Sequence, residues 1–498
     1  MNLYSELTRK YRNQPDQVVL DCDDSRQWTY TELNALIDAI ESRLLAFGLF
    51  EGDRILVQVF KSAEAIALYL ACLRMNLIFV PLNTAYTKSE FDYFVKDADP
   101  ALVVIDPDSV LENLALPVLT LSAKGDGSLL EHSKSVTCDS ATSERLALWS
   151  RSAQSKPAVI IYTSGTTGRS KGAVLSQANL YTNARALTDT WNFSEQDVLL
   201  HVLPVFHVHG LFVALNTAML SGARIRFCAG FDPVQVCAEL PGTTVFMGVP
   251  THYTRLLACT AFSRACCETI RLFISGSAPL LPETFDQFAR VSGQSILERY
   301  GMSETNIICS NPLKGERIAG TVGFALGGTT LRVVGGDDQS VAENEIGFVQ
   351  VCGDSVFDGY WRRPDLAESE FTSDGFFRTG DLGRLDAYGR LTLDGRQKDL
   401  IISGGLNVYP AEIERVLDAA PGVLESAVVG VADADFGERV EAFIVSDGTC
   451  ENLEESLKNL ALEKLANFKR PKAIHLIEAL PRNTMGKVQK TRLRQQAH

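Results

Sequence analysis

One loop constrains this chain more than any other stretch. Residues Thr163–Gly172 form a run of hydroxyl side chains and glycines that ends in Lys171 and Gly172. Apolar runs, residues 158–162 and 173–175, lie on either side, so we expect a strand before the loop and another after it. Glycines let backbone N–H groups converge on one point, and hydroxyls add further donors. The Ser/Thr/Gly loop (Thr163–Gly172) therefore predicts a binding site for a polyphosphate.

The loop differs from the common P-loop. That pattern requires a glycine directly before its lysine, where this chain has Ser170, and it continues into a helix. Here the residues after Lys171 are typical of a strand. The alternative, a polar surface loop without a ligand, stays open from this stretch alone.

Composition excludes several classes of partner. The chain has 498 residues with a net charge of −14, and its 46% hydrophobic content allows sizeable cores. A negative balance argues against nucleic acid or an anionic membrane as the main partner. An anionic ligand would therefore need positive charge gathered locally inside a site.

The cysteines and the first residues of the chain predict a cytoplasmic protein. The eleven cysteines include no C-x-x-C pair, which is typical of free thiols in a reducing compartment. The first residues lack the basic and apolar segments of a signal peptide. The longest uncharged stretch, residues 198–223, is interrupted by Pro204 and three histidines, so it predicts a core segment rather than a membrane span.

The order of elements predicts an α/β fold with two domains. Thr29 and Glu32 form a capping box ahead of an amphipathic helix, and alternating strands and helices follow, which indicates parallel sheets covered on both faces. From about residue 329 to 395 short strands with Gly/Asp turns predict a β-rich subdomain. We expect an N-terminal core over residues 1–395 and a small α+β domain over 396–498, joined at the polar stretch Asp394–Asp399.

Four separated stretches carry a family resemblance. They are Thr163–Gly172, Tyr300–Glu304, Thr379–Leu382 and Pro481–Lys487, in this order. Together they resemble the adenylate-forming superfamily of acyl-CoA synthetases, luciferases and adenylation domains. The resemblance covers nearly the whole chain and implies a large N-terminal domain of parallel α/β sheets with a β-rich subdomain, and a small mobile C-terminal domain.

The resemblance implies a reaction in two halves. A carboxylate attacks the α-phosphorus of ATP to give an acyl-adenylate and pyrophosphate, and the thiol of coenzyme A then displaces AMP. The expected cofactors are ATP, Mg²⁺ and coenzyme A. By resemblance the loop residues hold the β- and γ-phosphates, Glu304 and Thr163 bind Mg²⁺, and Ser303 contacts the α-phosphate. The residues implied for the phosphates are Thr163, Ser164, Gly165, Thr166, Thr167, Gly168 and Lys171.

The resemblance also implies which residues bind the nucleoside and coenzyme A and which residue is the hinge. Tyr300 would stack on adenine beside the loop Gly276, Ser277 and Ala278, while Asp381 would accept the ribose hydroxyls near Arg396. Lys487 resembles the catalytic lysine that bridges the acid and the α-phosphate, although an exposed lysine in a basic tail is the alternative. Lys398 stands at the hinge position of the family. The implied path for coenzyme A consists of Gly404, Gly405 and Leu406.

The prediction of which acid is the substrate rests on Arg299. It precedes Tyr300, at a position where many members have glycine, and it would place a bidentate cation at the floor of the acyl pocket. A buried unpaired guanidinium is costly, so the substrate should bring a second carboxylate. The alternative is that Arg299 pairs with Glu298 or another acid and is structural.

The surroundings of Arg299 resemble those of malonyl-CoA synthetases, so we expect malonate or methylmalonate as the substrate. His207, Ser275 and Met302 are the other expected substrate residues, and a zinc site at His207 and His209 is disfavoured because no further ligand has suitable spacing. A short- or medium-chain acyl-CoA ligase remains the alternative, as does a stand-alone enzyme that loads a carrier protein.

Overall fold

The computed structural model describes residues 2–109, 115–131, 155–163, 170–403, 406–433, 436–483 and 487–497. These residues form two compact units. The N-terminal unit comprises Met1–Thr330 and Val351–Phe377, and the C-terminal unit comprises Leu331–Gln350 and Arg378–His498. Within the described ranges no helix is long and apolar enough to cross a membrane.

Two large sheets build the N-terminal unit. Its strands are β1 Val18–Cys22, β2 Gln27–Thr29, β3 Arg54–Gln58, β4 Ile78–Pro81, β5 Leu102–Ile105, β6 Val118–Thr120, β7 Pro157–Thr163, β8 Lys171–Ser176, β9 Val198–His201, β10 Arg224–Phe227, β11 Val245–Gly248, β12 Leu272–Ser275, β13 Leu297–Met302, β14 Asn306–Ser310 and β15 Phe324–Ala325. In the described part of the chain the first sheet has the order β15-β14-β13-β12-β11-β9-β10-β1-β2. Its centre is parallel and its edges are antiparallel, because β2, β14 and β15 run against their neighbours.

The second sheet of this unit carries the Ser/Thr/Gly loop. Its order is β18-β8-β7-β4-β3-β5-β6, with β18 formed by Gly359–Tyr360. The strands β3 to β7 pair in parallel, whereas β8 runs antiparallel to β7 and to β18. The loop therefore connects two antiparallel neighbours, and Thr163 at the end of β7 lies opposite Lys171 at the start of β8.

Helices cover these sheets, and their ends follow from the sequence. They are α1 Leu3–Leu7, α2 Tyr30–Ala46, α3 Ala63–Met75, α4 Lys88–Ala98, α5 Gln177–Thr190, α6 Thr217–Ser221, α7 Pro233–Glu239, α8 Pro250–Ala258, α9 Pro282–Ser292 and α10 Ala367–Glu370, with a π-helical segment at His209–Asn216. Capping boxes start α2, α4 and α5, at Thr29, Thr87 and Ser176, and satisfy backbone donors that a helix start leaves open. The predicted capping box at Thr29 is confirmed.

The C-terminal unit contains two smaller sheets. Its strands are β16 Thr329–Val334, β17 Gly347–Gly353, β19 Phe377–Leu385, β20 Leu391–Arg396, β21 Ile401–Ser403, β22 Leu406–Val408, β23 Val423–Asp433, β24 Gly437–Ser446 and β25 Ala473–Ile477. Strands β16, β17, β19 and β20 form one sheet, and β21 to β25 form the other. The helices α11 Pro410–Asp418, α12 Leu453–Lys464 and α13 Lys490–Gln496 belong to this unit. The side chains of Ile413, Leu417 and Leu457 are buried in the core between α11, α12 and the second sheet.

The architecture confirms the expected α/β class with β-rich parts. The four-stranded sheet belongs to the C-terminal compact unit, whereas we expected it within the core of residues 1–395. The boundary near residue 396 and the hinge stay predictions. The expected linker Asp394–Asp399 is shorter than the sequence suggests, because β20 continues to Arg396 and only Gln397–Asp399 forms a short 3-10 helix. Asp394 is buried and accepts from Arg384 at 3.0 Å, so it stabilises the unit.

Candidate active site

Thr163, the first residue of the Ser/Thr/Gly loop, lies against a buried carboxylate. Glu304 is 5% exposed, and its Oε1 is 3.4 Å from the hydroxyl of Thr163. The hydroxyl of Tyr360 donates to the same oxygen at 3.0 Å. The structure thus brings Thr163 and Glu304 together, as two oxygen donors side by side. Ser164, Gly165, Thr166, Thr167 and Gly168 lie outside the described residues.

Lys171 has a carboxylate partner and an aromatic one. Its Nζ lies 2.9 Å from Oε1 of Glu370, and 4.8 Å from the ring centroid of Tyr360. Both side chains of the ion pair are mostly shielded, with 11% of Lys171 and 23% of Glu370 exposed. Tyr360 therefore contacts Glu304 through its hydroxyl and Lys171 through its ring face.

Strand β13 carries the predicted adenine and acid residues next to each other. Tyr300 is buried, and Met302 and Ser303 are half-buried at the end of β13 and in the turn that leads to Glu304. A tight turn follows, in which Asn306 adopts a φ of 55°. Gly301 is required there, because a Cβ at this position would lie 2.0 Å from the carbonyl oxygen of Asn306.

Arg299 is a buried cation without a carboxylate partner among the described residues. It is 6% exposed, and its Nε and Nη2 have no hydrogen-bond partner there. Burial lowers the pKa of the guanidinium to about 9, an effect that the neighbouring Tyr253 partly opposes. Such groups are normally paired, so this one marks a place where a ligand can bind.

The alternative pairing with Glu298 does not occur. Glu298 instead accepts from the backbone N–H of Gly320 at 3.2 Å, and burial raises its pKa to about 8. Successive residues of a strand point to opposite faces, so Glu298 and Arg299 diverge although they are neighbours in sequence. We conclude that the charge of Arg299 is not neutralised within this strand.

The groups next to Arg299 are also polar and unsatisfied. A Cβ at Gly276 would lie 2.4 Å from Cζ of Arg299, so the guanidinium packs directly on this glycine. Ser275 and His209 are buried, and within the described ranges the hydroxyl of Ser275 and Nε2 of His209 have no hydrogen-bond partner. Burial, followed by the charge of Arg299, holds the pKa of His209 well below its ordinary value, which keeps the ring neutral.

The remaining expected residues of this region lie close by. Ser277 adopts a φ of 73°, and its hydroxyl lies 3.2 Å from Nδ1 of His209. Ala278 is half-buried in the same loop after β12. His207 is half-buried, and its Nδ1 accepts the backbone N–H of His209 at 3.4 Å. In the described part of the chain no group of three His, Cys, Asp or Glu side chains could hold a metal ion.

The C-terminal unit holds the other expected residues. Asp381 is 4% exposed, and its Oδ1 lies 2.6 Å from Nε of Arg396 across the β19–β20 pair. Lys398 is exposed in the short helix Gln397–Asp399. Leu406 is exposed at the start of β22, and Gly404 and Gly405 lie outside the described residues.

Lys487 lies within a turn that a small antiparallel bridge closes. Arg482 pairs with Val488, and Asn483 exchanges hydrogen bonds with Lys487 through its backbone N–H and its side-chain oxygen, at 2.9 and 3.0 Å. The side chain of Lys487 is exposed in this unit. The backbone of the expected catalytic lysine is therefore fixed on both sides of residues 484–486.

Three residues of the site were not identified from the sequence. Tyr360 and Glu370 reach the loop because β18 pairs with β8, and their sequence separations from Glu304 and Lys171 are 56 and 199 residues. Tyr253 donates to the carbonyl of Ile274 at 2.6 Å and lies beside Arg299. In the sequence these three are ordinary aromatic and acidic residues that belong to no motif, so only the fold identifies them as part of the site.

Comparison with known proteins identifies the family. The AMP-binding enzyme family matches residues 7–361, and the C-terminal domain of AMP-binding enzymes matches residues 412–487. The chain belongs to the AMP-binding enzyme family. It is an AMP-forming acyl-CoA synthetase, a class of ligase that uses ATP and coenzyme A.

Relatives of the AMP-binding enzyme act on several kinds of acid. A malonate–CoA ligase of Arabidopsis thaliana is 34% identical over 90% of this chain and 78% of its own length. An indoleacetate–CoA ligase of Aromatoleum aromaticum is 33% identical over 94% of this chain and 93% of its own. The ATP-bound crystal structure of MatB from Rhodopseudomonas palustris has 44% identity and a TM-score of 0.94, and the match covers 100% and 99% of the two chains.

Proposed function

We propose that the chain is a malonate–CoA ligase, with methylmalonate as the alternative acid. It joins malonate to coenzyme A at the expense of ATP, through a malonyl-adenylate, and releases AMP and pyrophosphate. A free acid is a poor acceptor for a thiol because hydroxide is a poor leaving group, whereas AMP is a good one. The adenylate therefore supplies the activation that the thioester requires.

One observation carries this proposal: Arg299 is a buried guanidinium whose Nε and Nη2 have no partner among the described residues. Within an acyl-CoA synthetase, one carboxylate of the acid must reach ATP, so the partner of Arg299 is a second carboxylate on the same molecule. A dianion that pairs bidentately with Arg299 offsets the cost of burying that charge. The neutral His209 and the hydroxyl of Ser275 supply further hydrogen-bonding groups without adding a competing charge.

The phosphate end of ATP is assigned to the Ser/Thr/Gly loop and Lys171. Positive charge and hydroxyl donors neutralise the phosphates as pyrophosphate leaves. Thr163 and Glu304 fit Mg²⁺, because this ion prefers oxygen ligands and in nucleotide sites takes few of them from the protein. When bound, Mg²⁺ neutralises phosphate charge. Ser303 is placed directly before Glu304, where its hydroxyl can contact the α-phosphate.

The remaining roles fall to Tyr300 and to the C-terminal unit. Tyr300 stacks on adenine, beside the loop of Gly276 to Ala278. Asp381 accepts from the ribose hydroxyls, and its ion pair with Arg396 holds the carboxylate in place. Lys487 places a positive charge between the attacking carboxylate and the α-phosphate. Lys398 is the hinge of a domain rotation: Lys487 acts in the first half-reaction, and the path of coenzyme A along Leu406 is used in the second.

The relatives support the class of acid and define the competing possibilities. The malonate–CoA ligase of Arabidopsis thaliana supports a small dicarboxylic acid as the substrate. The indoleacetate–CoA ligase is similarly identical, so overall identity does not select the acid. Selection therefore depends on the residues around Arg299.

The experiment measures pyrophosphate release with malonate, methylmalonate, succinate, acetate and hexanoate, for the unmodified enzyme and for Arg299→Gly. We expect malonate to be preferred and the variant to lose about 10²-fold in kcat/KM for malonate, with a smaller loss for hexanoate. Parallel assays with coenzyme A and with a carrier protein identify the acceptor. Faster turnover of hexanoate than of malonate by the unmodified enzyme would contradict the proposal.

A further inference from the structure

Lys171 is already neutralised by a group of the protein itself. Its Nζ lies 2.9 Å from Glu370, which stands at the end of α10, 199 positions further along the chain. Both side chains are largely shielded from water, so their attraction is stronger than that of an exposed pair. A phosphate group that binds Lys171 must therefore compete with this carboxylate.

Tyr360 connects this ion pair to the carboxylate at the other end of the loop. Its ring face lies on Lys171 at 4.8 Å, which attracts the ammonium group, while its hydroxyl donates to Glu304 at 3.0 Å. The ring limits where Lys171 can move when Glu370 is displaced. The hydroxyl fixes one oxygen of Glu304 beside Thr163.

We propose that Glu370 is an internal counter-ion that competes with phosphate oxygens for Lys171, and that Tyr360 is the positioning residue that keeps Lys171 and Glu304 aligned during this exchange. The inference rests on the proposed role of Lys171 in binding the pyrophosphate part of ATP. Its consequence is that pyrophosphate is held weakly after the first half-reaction, because Glu370 replaces it at Lys171 as it leaves. No bond is made or broken in this exchange.

The direction in which one mutation changes the affinity for pyrophosphate separates this role from a structural one. If Glu370 competes, Glu370→Gln removes the competitor and tightens the binding of pyrophosphate. If Glu370 only stabilises the fold, the same change loosens the segment and weakens that binding. Glu370→Asp keeps the charge and should stay close to the unmodified enzyme. Glu195→Gln, which removes one exposed carboxylate elsewhere in the same unit, is the control for net charge.

The experiment is isothermal titration of the full chain with inorganic pyrophosphate at fixed MgCl₂ and ionic strength. We expect Glu370→Gln to bind pyrophosphate about 3- to 10-fold more tightly, the range for an ion pair that is neither exposed nor fully buried. The affinities of Glu370→Asp and Glu195→Gln for pyrophosphate should stay within about twofold of that of the unmodified enzyme, which is the usual size of the effect of a surface substitution. In turnover, pyrophosphate should inhibit Glu370→Gln at correspondingly lower concentrations.

Two further variants test Tyr360. Tyr360→Phe keeps the ring on Lys171 but loses the hydrogen bond to Glu304, so it should raise the MgCl₂ concentration needed for pyrophosphate binding. Tyr360→Leu loses both contacts and should weaken pyrophosphate binding at every MgCl₂ concentration. Thermal melting of each variant reports whether it is folded, and only folded variants enter the comparison.

The outcomes separate the two proposals. Equal or weaker binding by folded Glu370→Gln, with clear binding by the unmodified enzyme, overturns the counter-ion role alone. Equal behaviour of Tyr360→Phe and the unmodified enzyme across the MgCl₂ series overturns the positioning role. Failure of every form to bind pyrophosphate overturns the assignment of Lys171 to phosphate, and the inference with it.

Discussion

The contact between Gly276 and Arg299 allows a sharp test of acid recognition. In Gly276→Ala the new Cβ would lie 2.4, 2.5 and 2.7 Å from Cζ, Nε and Nη1 of Arg299. Carbon atoms in proteins do not approach each other so closely, so the guanidinium has to move. It is the end of a flexible side chain, and its displacement leaves the backbone in place. The variant should therefore fold and yet hold Arg299 in the wrong position.

The size of the effect follows from these distances. An ordinary contact is about 3.5 Å, so the guanidinium shifts by about 1 Å. A displacement of about 1 Å at a binding group costs on the order of 10- to 100-fold in activity, or about 1.4–2.7 kcal/mol of transition-state stabilisation. Since Arg299 is proposed to bind the second carboxylate, the loss should appear mainly as a higher KM for malonate.

The assay is pyrophosphate release over a malonate series at saturating ATP, with hexanoate as the second acid and thermal melting as the test of folding. Gly327→Ala is the matched control, because no atom lies within 4 Å of a Cβ at this exposed glycine. We expect the control to equal the unmodified enzyme with both acids. Gly276→Ala should lose activity with malonate while its melting temperature changes by only a few degrees.

Two results would refute the reasoning. Unchanged kinetics of Gly276→Ala with malonate would show that Arg299 can move freely without affecting the acid, so it is not the recognition group. An equal loss with malonate and hexanoate would show that the glycine acts on a step common to both acids, such as nucleotide binding.

Three further predictions concern stability and the two half-reactions. Burial raises the pKa of Glu298 to about 8, above its ordinary 4.5. Its contribution to stability is therefore present at low pH and is lost as the pH rises through 8. The melting temperature of Glu298→Gln relative to that of the unmodified enzyme should increase from pH 5 to pH 8. Lys487→Ala should slow malonate-dependent pyrophosphate release on the order of 100-fold, with little change in thioester formation from supplied malonyl-adenylate. Lys398→Pro, which fixes the backbone of the exposed 3-10 helix, should slow thioester formation more than adenylate formation, and equal slowing of both would remove the hinge.

Much of the fold could be predicted because its signals are local. The capping pattern at Thr29 specifies a helix start, and the apolar runs on either side of the Ser/Thr/Gly loop specify strands, since both depend on residues close in sequence. The spaced motifs then indicated the family. The element ends were less accurate, as at Arg396, where a polar sequence that resembles a linker continues a strand because Asp394 is buried in ion pairs.

The partners within the site could not be predicted in the same way. Whether Arg299 pairs with Glu298 depends on which face of β13 each side chain takes and on what covers that face. Glu370 and Tyr360 reach the loop only through the pairing of β18 with β8, a long-range contact that no local pattern encodes. Sequence periodicity predicts which residues are buried, whereas the tertiary structure decides which of them meet.

Strand β13 also has a consequence for the adaptation of this enzyme to other acids. Glu298 and Arg299 take opposite faces, so a residue on the face of Arg299, which we propose to bind the acid, can change while its neighbours keep their backbone pairing with β12 and β14. The alternation thus separates two sets of positions that can mutate independently. A library restricted to Arg299 could explore new acids while Tyr300 keeps its backbone pairing with Cys309. Under the proposed roles of Arg299 and Tyr300, a change of acid needs few substitutions, because the two side chains lie on opposite faces of β13.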